Sequence, residues 1–94
     1  MLHKYYLNEA VKTTVQPKTK DELKKIIEET IKEQGFNCDL NFIDTSLIKD
    51  MRDMFAESKF NGDISKWNVS NVERMDDMIC GSPLEGNEPD WYKD

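Results

Sequence analysis

In "TKDELKKIIEETIKEQG" the apolar residues Leu23, Ile26, Ile27 and Ile31 recur three or four positions apart, with lysines and glutamates filling the places between them. That period puts them on one face of an amphipathic helix, predicted over residues 19–34. Thr19 and Glu22 supply a T-x-x-E capping box, Pro17 discourages an earlier helical turn, and Gly35 supplies the stop. A helix with one apolar stripe needs an apolar surface to cover.

The remainder of the chain supplies that surface by repetition. Residues 39–62, "DLNFIDTSLIKDMRDMFAESKFNG", lie without a gap over residues 63–86, "DISKWNVSNVERMDDMICGSPLEG", an offset of 24. Asp39/Asp63, Ser46/Ser70, Met51/Met75, Asp53/Asp77, Met54/Met78, Ser58/Ser82 and Gly62/Gly86 are identical, and Leu40/Ile64, Ile43/Trp67, Asp44/Asn68, Ile48/Val72, Phe55/Ile79 and Phe60/Leu84 are alike in kind. The register reaches outward too, since "FNC" at 36–38 matches "FNG" at 60–62 and Trp91 falls one period after Trp67. A fixed period of this length signals stacked units, none of which buries its apolar side alone.

Within a unit the pattern predicts a short extended piece, Asp63 to Val69 in the second copy, followed by a helix. Ser70 is its expected N-cap with Glu73 completing the box, and Val72, Met75, Met78 and Ile79 face inward. The first unit repeats this with Ser46 as cap and Ile48, Met51, Met54 and Phe55 inside. The expected fold class is α+β, a solenoid of two 24-residue strand-helix units closed at one end by the amphipathic helix and at the other by Pro83, Pro89 and Trp91.

Composition sharpens this picture. Ninety-four residues fit one small domain, and 37% hydrophobic with 10% aromatic residues is enough for a core despite 34% charged residues. The net charge of −6 is uneven: residues 1–38 hold seven basic and six acidic groups, residues 39–94 six basic and thirteen acidic, so the second part alone carries −7. Such a surface repels phosphate backbones and attracts a basic groove on a partner protein, which disfavours direct nucleic-acid binding. No apolar run approaches the ~18 residues that span a bilayer, and the N-terminal stretch lacks the hydrophobic segment of a secretory signal, so a cytoplasmic location is expected. Cys38 and Cys80 lack CxxC or Cys/His spacing; they read as small buried thiols, with a single disulfide left open.

Candidate chemistry is sparse. The one histidine, His3, lies outside the repeat register and reads as a solvated tail residue rather than part of a triad. Asp39 and Asp63 recur with the repeat, as carboxylates that bond turn amides do, more than as a paired acid and base. "DISKWNVSNVER" fails as a calcium loop because Trp67 stands where an oxygen ligand belongs. Asn68-Val69-Ser70 is a glycosylation sequon by pattern alone, and the recurring methionines read as core. No catalytic residue, cofactor or metal site is expected. Two candidate partner-binding features remain: an acid-rich patch of Asp50, Arg52, Asp53, Arg74, Asp76 and Asp77 on the stacked helices, against the plainer reading of a solvated face, and the aromatic pair Tyr5 and Tyr6 near the N-terminus.

The stretch "FNGDISKWNVSNVERMDDMI" resembles the unit of the BspA-type leucine-rich-repeat-like family, which reads approximately F-N-x-D-I-S-x-W-D-V-S-N-V-x-x-M-x-x-M-F, with Asn68 and Ile79 as the departures. The resemblance runs from about Pro17 to Tyr92, taking in "PKTKDEL" and "SPLEGNEPDWY". It implies a short right-handed solenoid used for protein contacts, with no common chemistry, and short members resembling this chain also occur in bacteriophage genomes. The organisation expected is an N-terminal arm at 1–16, a capping helix and turn at 17–38, two repeats at 39–86 and a C-terminal cap at 87–94. The function expected is a non-enzymatic protein-protein interaction module, monomeric or weakly dimeric, with a protein partner of basic surface and neither nucleic acid nor membrane as a direct partner. The alternative is a phage-encoded, anti-CRISPR-like inhibitor that occupies the basic channel of a host nucleic-acid-handling defence enzyme. A third class, a hydrolase, requires a pocket with perturbed titratable groups.

Overall fold

The computed structural model describes residues 14–92. Among them the helix forms where the apolar period and its caps place it, as α1, Lys20–Gln34. Thr19 is extended, and its hydroxyl accepts the Glu22 N–H at 3.2 Å. Glu22 answers by accepting the Lys18 N–H at 2.7 Å, so the box closes one residue before the cap. Gly35, at φ 91, ends the helix and donates its N–H to the Ile31 carbonyl at 2.7 Å. Leu23 and Ile27 are buried, and Ile26 and Ile31 pack against the same core.

The solenoid of strand-helix units does not form. No sheet is present among the described residues; parallel pairing is confined to three isolated bridges, Val15 with Ile43, Asp39 with Asp63 and Asp50 with Arg74. The segments expected to be helices after Ser46 and Ser70 are successions of turns. One cause lies at the caps. Ser46 and Ser70 donate their N–H groups to Asp44 Oδ1 and Asn68 Oδ1, both at 3.0 Å, and are thereby locked into Asx turns. A second lies in the backbone, left-handed at Asp53 (φ 60) and Glu57 (φ 55) and again one period on at Asp77 (φ 55) and Gly81 (φ 77), a conformation that a right-handed helix cannot include.

The third and decisive cause is where the amides go. The N–H groups of Met51, Asp53, Phe55 and Glu57 donate sideways to the carbonyls of Arg74, Asp76, Met78 and Cys80 at 2.8, 3.1, 2.7 and 2.7 Å. Between them, Met54, Ala56 and Ser58 donate to Met51, Asp53 and Phe55 and close four-residue turns at 3.3, 3.1 and 3.1 Å. Such a coil brings every third or fourth side chain inward, as a helix does. Segments this short are marginal as helices by themselves, below the ~12 to 15 residues that an isolated helix needs, so lateral bonding prevails.

The same 24-residue register runs through the rest of the body. Leu40 N–H donates to the Asp63 carbonyl at 2.9 Å, and Asp63 N–H to the Cys38 carbonyl at 3.1 Å. Gly62 makes that second approach possible, because a Cβ there would lie 1.9 Å from the Cys38 oxygen. Its repeat partner Gly86 has open space around it and serves instead a left-handed turn at φ 87. Identical residues thus answer different needs.

Aromatic rings pack in a continuous series through the core. Phe60 stacks on Phe55 at 4.7 Å between centroids, Phe55 meets Trp67 at 5.8 Å, and Trp67 stacks on Trp91 at 6.2 Å. Trp67 donates its indole N–H to the Leu40 carbonyl and Trp91 donates to the Ile64 carbonyl, both at 2.9 Å, the same contact one period apart. At the other end α1 lies alongside the first succession of turns, where Leu23 and Ile27 share one core with Met51, Met54 and Phe55 and Lys20 reaches Asp50 at 3.9 Å. Val15 pairs beside it, donating to Phe42 and accepting from Asp44.

Trp67 is 4% exposed and links two turn layers through both ring and indole N–H. Trp67→Ala is expected to lower stability by about 3 to 5 kcal/mol in chemical denaturation, a large share of what a domain this size has. An unmoved midpoint would contradict the packing described.

Candidate functional site

The six residues of the acid-rich patch do come together, though on the rims of turns rather than on helices. Asp50 and Arg74 form one of the isolated bridges, and the Asp53 N–H donates to the Asp76 carbonyl at 3.1 Å, so the two halves of the patch are tied by backbone. Asp50 accepts the Arg52 N–H at 3.0 Å, and the Arg52 guanidinium forks onto its two oxygens at 3.0 and 2.8 Å. These hydrogen bonds, the guanidinium ones first, hold the Asp50 carboxyl well below the usual carboxylate range and raise Arg52 in turn. Arg74 pairs with Asp76, again two residues away. Both pairs are open to solvent, where screening leaves little net stabilisation.

Each arginine is therefore matched by a neighbouring aspartate, and the surplus falls on Asp53 and Asp77. Both are exposed, and no described side chain forms a salt bridge with either carboxylate, although Arg52 interacts with Asp53 electrostatically. Both also sit in the left-handed region, where a short Asp side chain is tolerated far better than a longer or branched one. Backbone conformation favours a short residue such as Asp or Asn at these positions without demanding it, since Glu57 adopts the same region, and Asp adds outward charge.

The negative field continues along the chain to Cys80. Expected as a buried thiol, Cys80 is exposed, whereas Cys38 is buried, and no disulfide joins them. The Glu85 carboxylate, then desolvation, then Asp77, Glu57 and Asp53 push the Cys80 thiol up, which keeps it protonated and a poor nucleophile at neutral pH. Beside it a cleft of about 350 Å³ is lined by Asp77, Ile79, Glu85, Glu88 and Tyr92.

The repeat aspartates hold turns. Asp39 Oδ1 accepts the Asn41 N–H at 2.8 Å, and Asp63 Oδ1 accepts the Ser65 N–H at 2.9 Å and its hydroxyl at 2.7 Å. The Ser65 amide, followed by the Asn41 side chain and the Ser65 hydroxyl, draws Asp63 down to about 2. Asp44 is lowered in the same sense, chiefly by Ser46. Three polar side chains that sequence reasoning missed join adjacent layers: Asn41 accepts the Lys66 N–H at 2.9 Å, the buried Thr45 hydroxyl donates to the Asn68 carbonyl at 2.9 Å, and Asn71 donates to the Ser46 carbonyl at 2.7 Å. Their repeat counterparts differ in type, so self-comparison gives no signal for them. Tyr5, Tyr6 and His3 lie outside the described residues. Among the described residues no cluster of three or more His, Cys, Asp or Glu side chains is placed to hold a metal, and no helix is long and apolar enough to cross a membrane.

Residues 18–89 match the model of a family described as "Mycoplasma protein of unknown function, DUF285", a span that begins just before α1 and covers both successions of turns. No curated protein and no solved structure matches the chain.

The titration of Asp63 has a definite sign. Its folded value of about 2 lies below the ~3.9 of an unfolded Asp, so the stabilisation is present above about pH 4 and is lost as pH falls toward 2. Asp63→Asn keeps an acceptor oxygen for the Ser65 N–H and removes the titration. Thermal midpoints measured from about pH 5 to 2 are expected to fall less in the variant than in the parent; parallel curves would contradict this account of Asp63.

Proposed function

We propose that the chain, which belongs to the DUF285 family, is a non-enzymatic protein-binding module that meets a basic partner surface through the acid-rich rim of its stacked turns. The reading is carried by the placement of Asp53 and Asp77, two exposed carboxylates outside the Asp50–Arg52 and Arg74–Asp76 salt bridges, on adjacent turns whose backbones are joined by the Asp53–Asp76 hydrogen bond. A spacing held by backbone loses little freedom on binding, which favours specific pairing with a fixed set of cations. The −7 excess of residues 39–94 adds long-range attraction that speeds encounter with a basic surface.

Within DUF285 we place the chain among the BspA-type proteins, on the strength of "FNGDISKWNVSNVERM" and its 24-residue recurrence. The narrower functional reading, a phage-encoded inhibitor of a host nucleic-acid-handling defence enzyme, uses the same rim: closely spaced carboxylates on a small body imitate a phosphate backbone entering a basic channel. Density of negative charge is what supports it over a general adhesion or assembly module.

Affinity capture from a host lysate at low and moderate salt identifies the partner, and titration against it tests the surface. Affinity is expected to fall steeply with salt, and Asp53→Asn with Asp77→Asn is expected to weaken binding roughly 3- to 30-fold and flatten the salt dependence, because Asn tolerates the left-handed backbone while removing charge. Affinity indifferent to salt and to both substitutions would overturn the reading.

A further inference from the structure

The lateral ladder that builds the body ends without a closing layer. In the first succession Met51, Asp53, Phe55 and Glu57 donate their N–H groups to the second. One period on, the equivalent donors are Met75, Asp77, Ile79 and Gly81. Gly81 is satisfied by a side chain, Glu85 Oε1 at 3.0 Å, which stands in for the missing carbonyl. For Met75, Asp77 and Ile79 no acceptor exists among the described residues. Ile79 is only 3% exposed as a residue, and its amide, without an acceptor, stands at the same edge. The cleft of about 350 Å³ runs beside Asp77 and Ile79 where a further layer would lie.

We infer that this open edge is a docking site for an extended basic segment of a partner protein, which adds its backbone carbonyls to the Met75, Asp77 and Ile79 amides and lays cationic side chains against Asp77, Glu85 and Glu88. The first succession shows what the edge accepts: carbonyls offered by alternate residues, Arg74, Asp76, Met78 and Cys80, in parallel register. Charge selects the occupant, since the cleft's lining residues include three carboxylates and no cationic side chain. A second copy stacked head to tail does not suit it, because α1, which shares a core with Met54 and Phe55 and pairs Lys20 with Asp50, already occupies the opposite end of the body. The inference rests on the reading of the chain as a protein-binding module and specifies where the partner's backbone goes.

The test is amide hydrogen exchange on the full ¹⁵N-labelled chain, alone and with an alternating Lys/Val decapeptide, with a Glu/Val decapeptide as control. In the free chain Met75, Asp77 and Ile79 are expected to exchange faster than Met51, Asp53 and Phe55, and saturation with the Lys/Val peptide is expected to slow them by about tenfold or more, the Glu/Val peptide leaving them unchanged. If the Lys/Val peptide shifts the Asp50–Asp53 resonances while the three amides keep their rates, the edge is not the docking site and the acid-rim reading stands. If it shifts neither, the edge proposal fails and the acid-rim reading weakens with it. Protection that rises with chain concentration in the absence of peptide would assign the edge to a second copy and overturn the proposal, as would equal slowing by both peptides.

Discussion

Alternate amides in this chain have different destinations, one closing its own turn and the next reaching the neighbouring turn, and that division organises everything else. The sideways bonds from Met51, Asp53, Phe55 and Glu57 fix the 24-residue register. With the register fixed, Phe55, Trp67 and Trp91 fall into one packed series, and each indole finds a carbonyl in the layer before it. The turn-closing bonds in between require left-handed residues at recurring places, and Asp53 and Asp77 occupy two of them. A small body that cannot bury a large core gains from such bonding, because every layer satisfies the polar backbone of the one beside it.

The surface properties descend from the same constraint. Asx turns place carboxylates along the rim, and Asp39, Asp44, Asp50 and Asp63 direct an oxygen at an amide two residues on. Arg52 and Arg74 answer two of the acids and leave Asp53 and Asp77 outward. Recognition by charge at the rim and by backbone at the open end are thus two outcomes of one architecture, in which side chains first serve the turns and then present what is left to a partner.

What could be read in the sequence were the features written locally or by recurrence. Thr19, Glu22, the apolar stripe and Gly35 all point to one helix, and α1 forms there. The offset of Trp67 from Trp91 is a register statement that the structure repeats atom for atom. The repeat helices predicted by the apolar spacing do not form, because a spacing of three or four suits a coil of turns as well as a helix, and the amide partners that decide between them lie a full period away. Asp44 and Asn68, two residues ahead of the supposed caps Ser46 and Ser70, are the local signal that favours turns. Thr45, Asn41 and Asn71 left no trace in the repeat because each bonds across layers from a position whose counterpart has changed, and the exposure of Cys80 follows from its lying at the end of the stack.

The alternating amide pattern is the central claim, and couplings transmitted through hydrogen bonds measure it most directly. In a long-range HNCO experiment on the ¹³C,¹⁵N-labelled chain, the amides of Met51, Asp53, Phe55 and Glu57 are expected to correlate with the carbonyl carbons of Arg74, Asp76, Met78 and Cys80. Correlations running instead to carbonyls four residues earlier in the same segment would mean that helices form there, and would contradict the account.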